Sequence, residues 1–183
     1  TEDGRYFMVM DYKTGNAAIN IMDVYYGIKL QLLTYLLVTK QFLSAQQGEE
    51  ALPVGMLYYF LKQPRASLAS HGESQQEVIA ALEKKLLMPG WIVADKELVQ
   101  LIDSTLSQPG AKSRFIHATM KKGGDLMSNA TYLRQPRELE LLLEYVEELL
   151  QHTGRDILAG RIAPVPYRNR EGHSTCEYCN DRA

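Results

Sequence analysis

Residues 6–10, Tyr-Phe-Met-Val-Met, form an apolar run without a polar face. A strand with one face in water alternates apolar and polar side chains, so an unbroken run predicts a strand covered on both faces, as in α/β proteins. With the strand period of two, Phe7, Val9, Asp11 and Lys13 share one face. The chain is therefore expected to build a layered α/β fold in which this strand ends in a carboxylate and an ammonium group.

The rest of the chain alternates helical and extended patterns. Residues 23–45 predict one long helix, and its middle, 28–38, is apolar nearly all round apart from Lys29, Gln31 and Thr34, so this part is expected to be largely buried. A capping-box pattern, Ser74 with Glu77, predicts a helix over 74–87. The remaining predicted elements are strands at 5–13, 52–61 and 113–120, a helix at 95–106, and a helix at 136–154 with Pro136 near its start and Gly154 at its end.

Composition limits the class of protein. With 183 residues, 45% of them hydrophobic, the chain is long enough for one domain with a core. The formal net charge of −2 means that any nucleic-acid binding would depend on local patches. No run of about 18 apolar residues predicts a membrane span, and no signal peptide follows Thr1. We therefore expect an intracellular, cytoplasmic protein without a membrane partner.

Both ends of the sequence carry a motif that lacks part of what it requires. Asp3-Gly4 is a hairpin signal, but only Thr1 and Glu2 precede it. The motif Cys-Glu-Tyr-Cys at 176–179 offers two thiolates, whereas a structural metal or cluster site needs about four ligands. We therefore expect the chain to be a piece of a larger protein.

Asp11 and Lys13 have two interpretations. A carboxylate is a hard oxygen ligand suited to Mg²⁺ or Mn²⁺, and an adjacent ammonium group can orient water or stabilise charge on a phosphate. The same spacing also occurs as a surface ion pair at a strand end. Gln31 and Tyr35, four residues apart, share one helix face. Read alone, this second pair is also compatible with a buried amide and phenol bonded to the backbone.

The cysteines and the basic residues are weaker signals. Cys176 and Cys179 could be half of a zinc site, a redox pair or a chance pattern, although redox use would require the motif at a helix start after a strand. Scattered basic residues could track the backbone of single-stranded DNA or form ordinary solvated surface. The candidates for DNA contact are Lys121, Lys122, Arg168 and Arg170.

In combination, DYKTG and GIKLQLLTY resemble the RecB-like branch of the PD-(D/E)XK nucleases, in particular the C-terminal nuclease domains of the B subunits of AddAB-type (RexAB-type) helicase-nucleases. The similarity continues more loosely through GMLYYFL and AGRIAPVPYR to CEYC. It implies a partial restriction-endonuclease-like α/β core with additional helices and a loop-rich C-terminal tail. The implied division is a core of strand, helix and strand at 1–62, the rest of the nuclease domain at 63–165, and a cysteine-containing segment at 166–183.

The resemblance also implies roles for individual residues. Asp11, with the backbone carbonyl of Tyr12, would hold Mg²⁺ or Mn²⁺, and Lys13 would position the attacking water. Gln31 and Tyr35 would close the active site and touch the DNA strand. The family's second metal-binding aspartate, in an upstream strand, has no counterpart in this sequence, so we expect the chain alone to be inactive.

The implied biology is that of a bacterial helicase-nuclease. Cys176 and Cys179 would be two of four ligands of a [4Fe-4S] cluster in the intact protein, absent from this piece. The implied partners are single-stranded DNA leaving an unwound duplex and the A-type helicase-nuclease subunit, in double-strand break repair by homologous recombination. Two alternatives stay open: a CRISPR-associated RecB-like exonuclease, and a non-catalytic module for DNA binding or protein interaction.

Overall fold

The computed structural model describes residues 5–61, 75–161, 163, 166–168, 174 and 176. A short 3-10 helix, Ser104–Ser107, follows the fourth α-helix. The strands and α-helices of the described residues are β1 (Tyr6–Lys13), α1 (Ile21–Tyr25), α2 (Gln31–Gln47), β2 (Leu52–Phe60), α3 (Gln75–Leu86), β3 (Gly90–Val93), α4 (Lys96–Ile102), β4 (Leu133–Arg134) and α5 (Pro136–Leu158).

The four strands form one mixed sheet in the order β1-β2-β3-β4. β1 and β2 are parallel, β2 and β3 are antiparallel, and β3 and β4 are parallel. Asp11 is paired with Tyr58 in the neighbouring strand, and Lys13 is paired with Phe60. Gly90, with φ of 151°, lies against the β2 backbone so closely that a Cβ there would overlap the carbonyl oxygen of Met56.

One face of the sheet packs against α1, α2 and α5. Phe7 and Val9 of β1 point into this core, as the period-two pattern predicts. Burial of so many aliphatic side chains is the main force that fixes α2 across β1 and β2. The buried members are Val24, Leu32, Leu33, Leu36, Leu37, Met56, Tyr58, Trp91, Val93, Leu139, Leu143 and Val146.

The opposite face is covered by α4 and by the irregular region around 111–126. Leu57 of β2, Ile92 of β3 and Leu133 of β4 meet Val99 of α4 in this second core, which also buries Ile116. The sheet is thus covered on both faces, which confirms the predicted α/β class.

The single helix predicted over 23–45 is wrong, because the structure has two helices, α1 and α2. Gly27, with φ of 73°, and Lys29, with φ of 57°, adopt left-handed backbone conformations that interrupt a right-handed helix. The burial prediction is also too broad. Tyr35 and Val38, both within 28–38, are exposed, and the covered side of α2 packs against the sheet and α5.

The strand predicted over 113–120 is also absent. Ser113 N–H donates to the carbonyl of Ala118, and Met120 N–H donates to that of Ala111, so this segment folds back on itself. Ile116, Ala118 and Met120 are buried at every second position, as in a strand. The segment nevertheless lacks the continuous hydrogen bonds to a neighbouring strand that would make it one.

Two elements near the sheet edge and one helix end also differ from expectation. β3 and β4 are short strands that the sequence patterns did not predict. Helix α5 continues through Gly154 to Leu158, and Gly160, with φ of 72°, follows its end. None of the helices in the described ranges is long and apolar enough to cross a membrane.

A series of four tyrosines joins α1, α5 and the C-terminal region. Tyr26 stacks on Tyr167 with ring centroids 4.0 Å apart. Tyr25 contacts Tyr26 edge to face and stacks on Tyr145, whose hydroxyl donates a hydrogen bond to the Tyr25 carbonyl. This stack fixes α1 on the side of α5.

Candidate active site

The C-terminal end of β1 and the first turn of α2 meet at one edge of the sheet. Asp11 and Lys13 continue the face that Phe7 and Val9 bury, but they lie beyond the apolar core. Their side chains are 15% and 30% exposed, respectively. Gln31 is the first residue of α2, so the packing of that helix fixes its position.

A continuous series of polar contacts runs from β1 to α2. Lys13 Nζ lies 2.7 Å from Asp11 Oδ2 and donates a 2.8 Å hydrogen bond to Gln31 Oε1. Gln31 Nε2 then donates a 2.8 Å hydrogen bond to the Tyr35 hydroxyl. The structure therefore brings together all four side chains predicted to be catalytic.

The electrostatics favour a charged lysine. The contact with Asp11 raises the pKa of Lys13 above its ordinary value, against an opposing effect of burial. Lys13 Nζ also lies 5.6 Å from the centroid of the Tyr58 ring, on the neighbouring strand. Burial raises the pKa of Tyr58, and the nearby Lys13 opposes that rise. At neutral pH the site thus presents an ammonium group and a neutral phenol.

These groups border an open cleft of about 440 Å³. The loop after β1 forms one wall, Lys13 and Gln31 form another, and Tyr58 and Lys29 complete the lining. Sequence reasoning did not assign Tyr58 or Lys29 to the site. The sequence signal for Lys29 was a charged residue inside an otherwise apolar segment, whereas Tyr58 depends on the register between β1 and β2.

The donor set suits a divalent cation in part. Asp11 Oδ2 is buried and forms an ion pair with Lys13. Among the described residues, no group donates a hydrogen bond of normal geometry to this oxygen. Such an oxygen is a suitable ligand for Mg²⁺. Within residues 5–61 and 75–161 and the few described beyond them, no three side chains of His, Cys, Asp or Glu converge on a metal position. The described residues therefore offer one carboxylate toward a cation.

The other predicted site residues lie apart from the cleft or outside the described residues. Lys121 and Lys122 are exposed after Met120, in the layer on the opposite face of the sheet, and neither lines the cleft. Arg168 is exposed. Cys176 is exposed and forms no disulfide among the described residues. Arg170 and Cys179 lie outside that part of the chain.

The chain is similar to proteins from several bacteria that carry one name. Proteins named as the B subunit of an ATP-dependent helicase/deoxyribonuclease are 33% identical over 181 residues in Acetivibrio thermocellus, 35% over 175 residues in Desulforamulus reducens and 31% over 184 residues in a Bacillus cereus strain. These alignments cover 98%, 95% and 98% of this chain. The chain spans 14–15% of the length of these relatives.

The sequence profile of the PD-(D/E)XK nuclease superfamily matches residues 1–183, from the first residue to the last. The matched region contains β1, with Asp11 and Lys13 at its end, and the start of α2. The chain belongs to the PD-(D/E)XK nuclease superfamily.

Proposed function

We propose that this chain is the nuclease part of a helicase-nuclease and that its site hydrolyses phosphodiester bonds of single-stranded DNA. The observation that carries the proposal is the contact series from Asp11 through Lys13 and Gln31 to Tyr35. The names of the relatives support the assignment to the B-type component of a helicase/deoxyribonuclease. The proposed setting is double-strand break repair by homologous recombination in the bacterial cytoplasm, with the A-type helicase-nuclease subunit serving as the partner.

Each member of the series has a role that follows from its chemistry. Asp11 would hold Mg²⁺ or Mn²⁺ with the backbone carbonyl of Tyr12, and the bound cation would supply Lewis-acid activation of the phosphate. Lys13 is protonated at neutral pH, so it acts as a cation that stabilises negative charge and orients water, and not as a general base. Gln31 accepts from Lys13 and holds the ammonium group in place, while Tyr35 accepts from Gln31 and limits its rotation.

The single carboxylate leads to a proposal about the 183-residue chain on its own. Mg²⁺ requires near-octahedral oxygen coordination and releases its waters reluctantly. One carboxylate holds the cation loosely, and loose placement loses most of the benefit of orientation. We therefore expect the isolated chain not to cleave single-stranded DNA with Mg²⁺ or Mn²⁺. Cleavage that disappears in Asp11→Ala would contradict this expectation.

Two further parts of the proposal concern the remaining candidates. Cys176 and Cys179 are proposed as two ligands of a [4Fe-4S] cluster in the full-length protein, supported by their spacing and by the exposure of Cys176. Arg168, with Arg170, is proposed as a weak contact to the DNA backbone. Lys121 and Lys122 would contact DNA only away from the cleft, since the segment that carries them lies on the other face of the sheet.

The nuclease proposal is tested with Asp11→Asn and Lys13→Gln in the full-length protein. Removal of one electrostatic group from an active site costs about a hundredfold or more in rate. We expect that loss in DNA cleavage, with ATP-dependent unwinding retained. Lys40→Gln is the matched control, because Lys40 forms a 2.8 Å ion pair with Glu50 and does not line the cleft. Cleavage by Lys13→Gln within a few-fold of the natural protein would remove Lys13 from the mechanism.

A further inference from the structure

Lys29 occupies an unusual place in the chain. It is the one non-glycine residue with positive φ among the described residues, at 57°. A side chain in the left-handed region is disfavoured by contact between Cβ and the backbone. Residues held in this way are concentrated where a side chain must be aimed at a ligand. The conformation follows Gly27 and directly precedes α2, so it determines the direction in which Lys29 leaves the backbone.

The side chain of Lys29 reaches the cleft that contains Lys13. Lys29, Lys13, Gln31 and Tyr58 all line this space. Burial raises the pKa of Tyr58, and the positive charges of Lys13 and Lys29 both oppose that rise, as expected of two ammonium groups near one phenol. Two ammonium groups therefore face one open cleft from different elements.

Among the described residues, Lys29 has one anionic partner. Its Nζ lies 2.7 Å from Asp23 Oδ2, on α1. The Lys29 side chain remains 51% exposed, whereas that of Asp23 is 24% exposed. Much of the Lys29 side chain thus remains accessible to a second anion while Asp23 limits its motion.

We propose that Lys29 binds a backbone phosphate of the DNA strand in the cleft, beside the phosphate that faces Lys13, in addition to its ion pair with Asp23. This inference rests on the proposed nuclease function and adds a binding residue to it. Lys29 is a DNA-binding residue.

The size of the effect follows from the release of counterions by single-stranded DNA. One lost phosphate contact makes the slope of log affinity against log salt concentration less steep by about 0.7, which corresponds to about a fivefold loss at about 0.1 M salt. Lys29→Gly removes the charge, and glycine adopts the left-handed backbone conformation without steric cost. The variant therefore tests DNA binding without destabilising the fold. We expect a KM for short single-stranded DNA about five times higher, an unchanged rate constant and an undiminished melting temperature.

Three further variants make the test specific. Lys29→Arg keeps the charge and should retain the natural KM and salt dependence. Asp23→Asn removes the negative charge that pairs with Lys29 and should leave KM unchanged or lower it. Lys40→Gln, which loses an ion-paired lysine outside the cleft, should change neither quantity. All variants are measured as full-length protein, without ATP, at several salt concentrations.

Two results would overturn the assignment. Lys29→Gly with natural KM and salt dependence would show that Lys29 does not touch DNA. Asp23→Asn that raises KM as Lys29→Gly does would show that the ion pair serves only to hold α1 in place. Asp11→Asn distinguishes this inference from the proposed nuclease function. If the nuclease function is wrong, Asp11→Asn cleaves DNA normally. If only the role of Lys29 is wrong, Asp11→Asn still loses cleavage.

Discussion

Gln31→Met is the substitution that most directly tests whether the polar series works as a unit. The methionine keeps the length and helix propensity of glutamine but neither accepts from Lys13 nor donates to Tyr35. A hydrogen bond to a charged group contributes about 1.5–3 kcal/mol, and partial exposure of the Lys13 side chain places this one at the lower limit. We therefore expect about a tenfold lower cleavage rate.

Tyr35→Phe supplies the graded comparison. It removes only the last hydrogen bond of the series, between two neutral groups, and Tyr35 is 45% exposed. A contact of this kind contributes about 0.5 kcal/mol, which corresponds to about a twofold lower rate. The rate loss should therefore be larger in Gln31→Met, which breaks the contact with the Lys13 ammonium group, than in Tyr35→Phe, which breaks a contact one step away from it.

The assay is single-turnover cleavage of a short single-stranded DNA by the full-length protein at saturating Mg²⁺ without ATP. The Mg²⁺ concentration for half-maximal rate should not change in either variant, because neither side chain contacts Asp11. A rate for Gln31→Met within twofold of the natural protein would refute the series as a positioning device. So would a larger loss in Tyr35→Phe than in Gln31→Met.

Other predictions concern stability, pH and metal content. Gly154→Ala, in the interior of α5 with no atom within 4 Å of a new Cβ, should raise the free energy of unfolding by about 0.5–1 kcal/mol. Gly90→Ala should lower it by about 3 kcal/mol or more, because its Cβ would overlap the β2 backbone; equal urea midpoints for the two variants would contradict the described pairing. Burial, with Lys112 and Lys84 nearby, lowers the pKa of His117. The unfolded chain then binds more protons, so the free energy of unfolding should fall as pH drops below about 6.5, and His117→Gln should remove this dependence; an unchanged pH profile of urea midpoints would exclude His117 as the cause. Cys176→Ala in the full-length protein should lower bound iron, and a full iron and sulfide count would contradict its role as a ligand.

The elements near the cleft could be predicted because their patterns are local. β1 begins and ends within one residue of the predicted limits, and β2 does the same. The break between α1 and α2 has a local part and a tertiary part. Gly27, left-handed just after α1, is a helix-ending signal present in the sequence, whereas the left-handed conformation of Lys29 goes against local preference and could not be predicted. β4 has two residues and pairs only with β3, so its signal lies in the partner strand and not in its own sequence.

The site was predictable to the extent that its members follow periodic spacing. Asp11 and Lys13 share a strand face, and Gln31 and Tyr35 share a helix face, so each pair was accessible from sequence. The contact between the pairs depends on the angle at which α2 crosses the sheet, and the contribution of Tyr58 depends on strand register. These are properties of packing. At the sequence level, the resemblance to a known family placed the two pairs in one site, and nothing assigned Tyr58 to it.

The tyrosine stack has an optical consequence. Phenol rings this close, at 4.0 Å between Tyr26 and Tyr167, couple their electronic transitions and produce circular dichroism in the near ultraviolet. The single tryptophan of the sequence, Trp91, lies instead in the centre of the sheet and is 1% exposed, so its fluorescence reports the sheet. The two signals therefore distinguish loss of the contact between Tyr26 and Tyr167 from unfolding of the whole domain, without an added label.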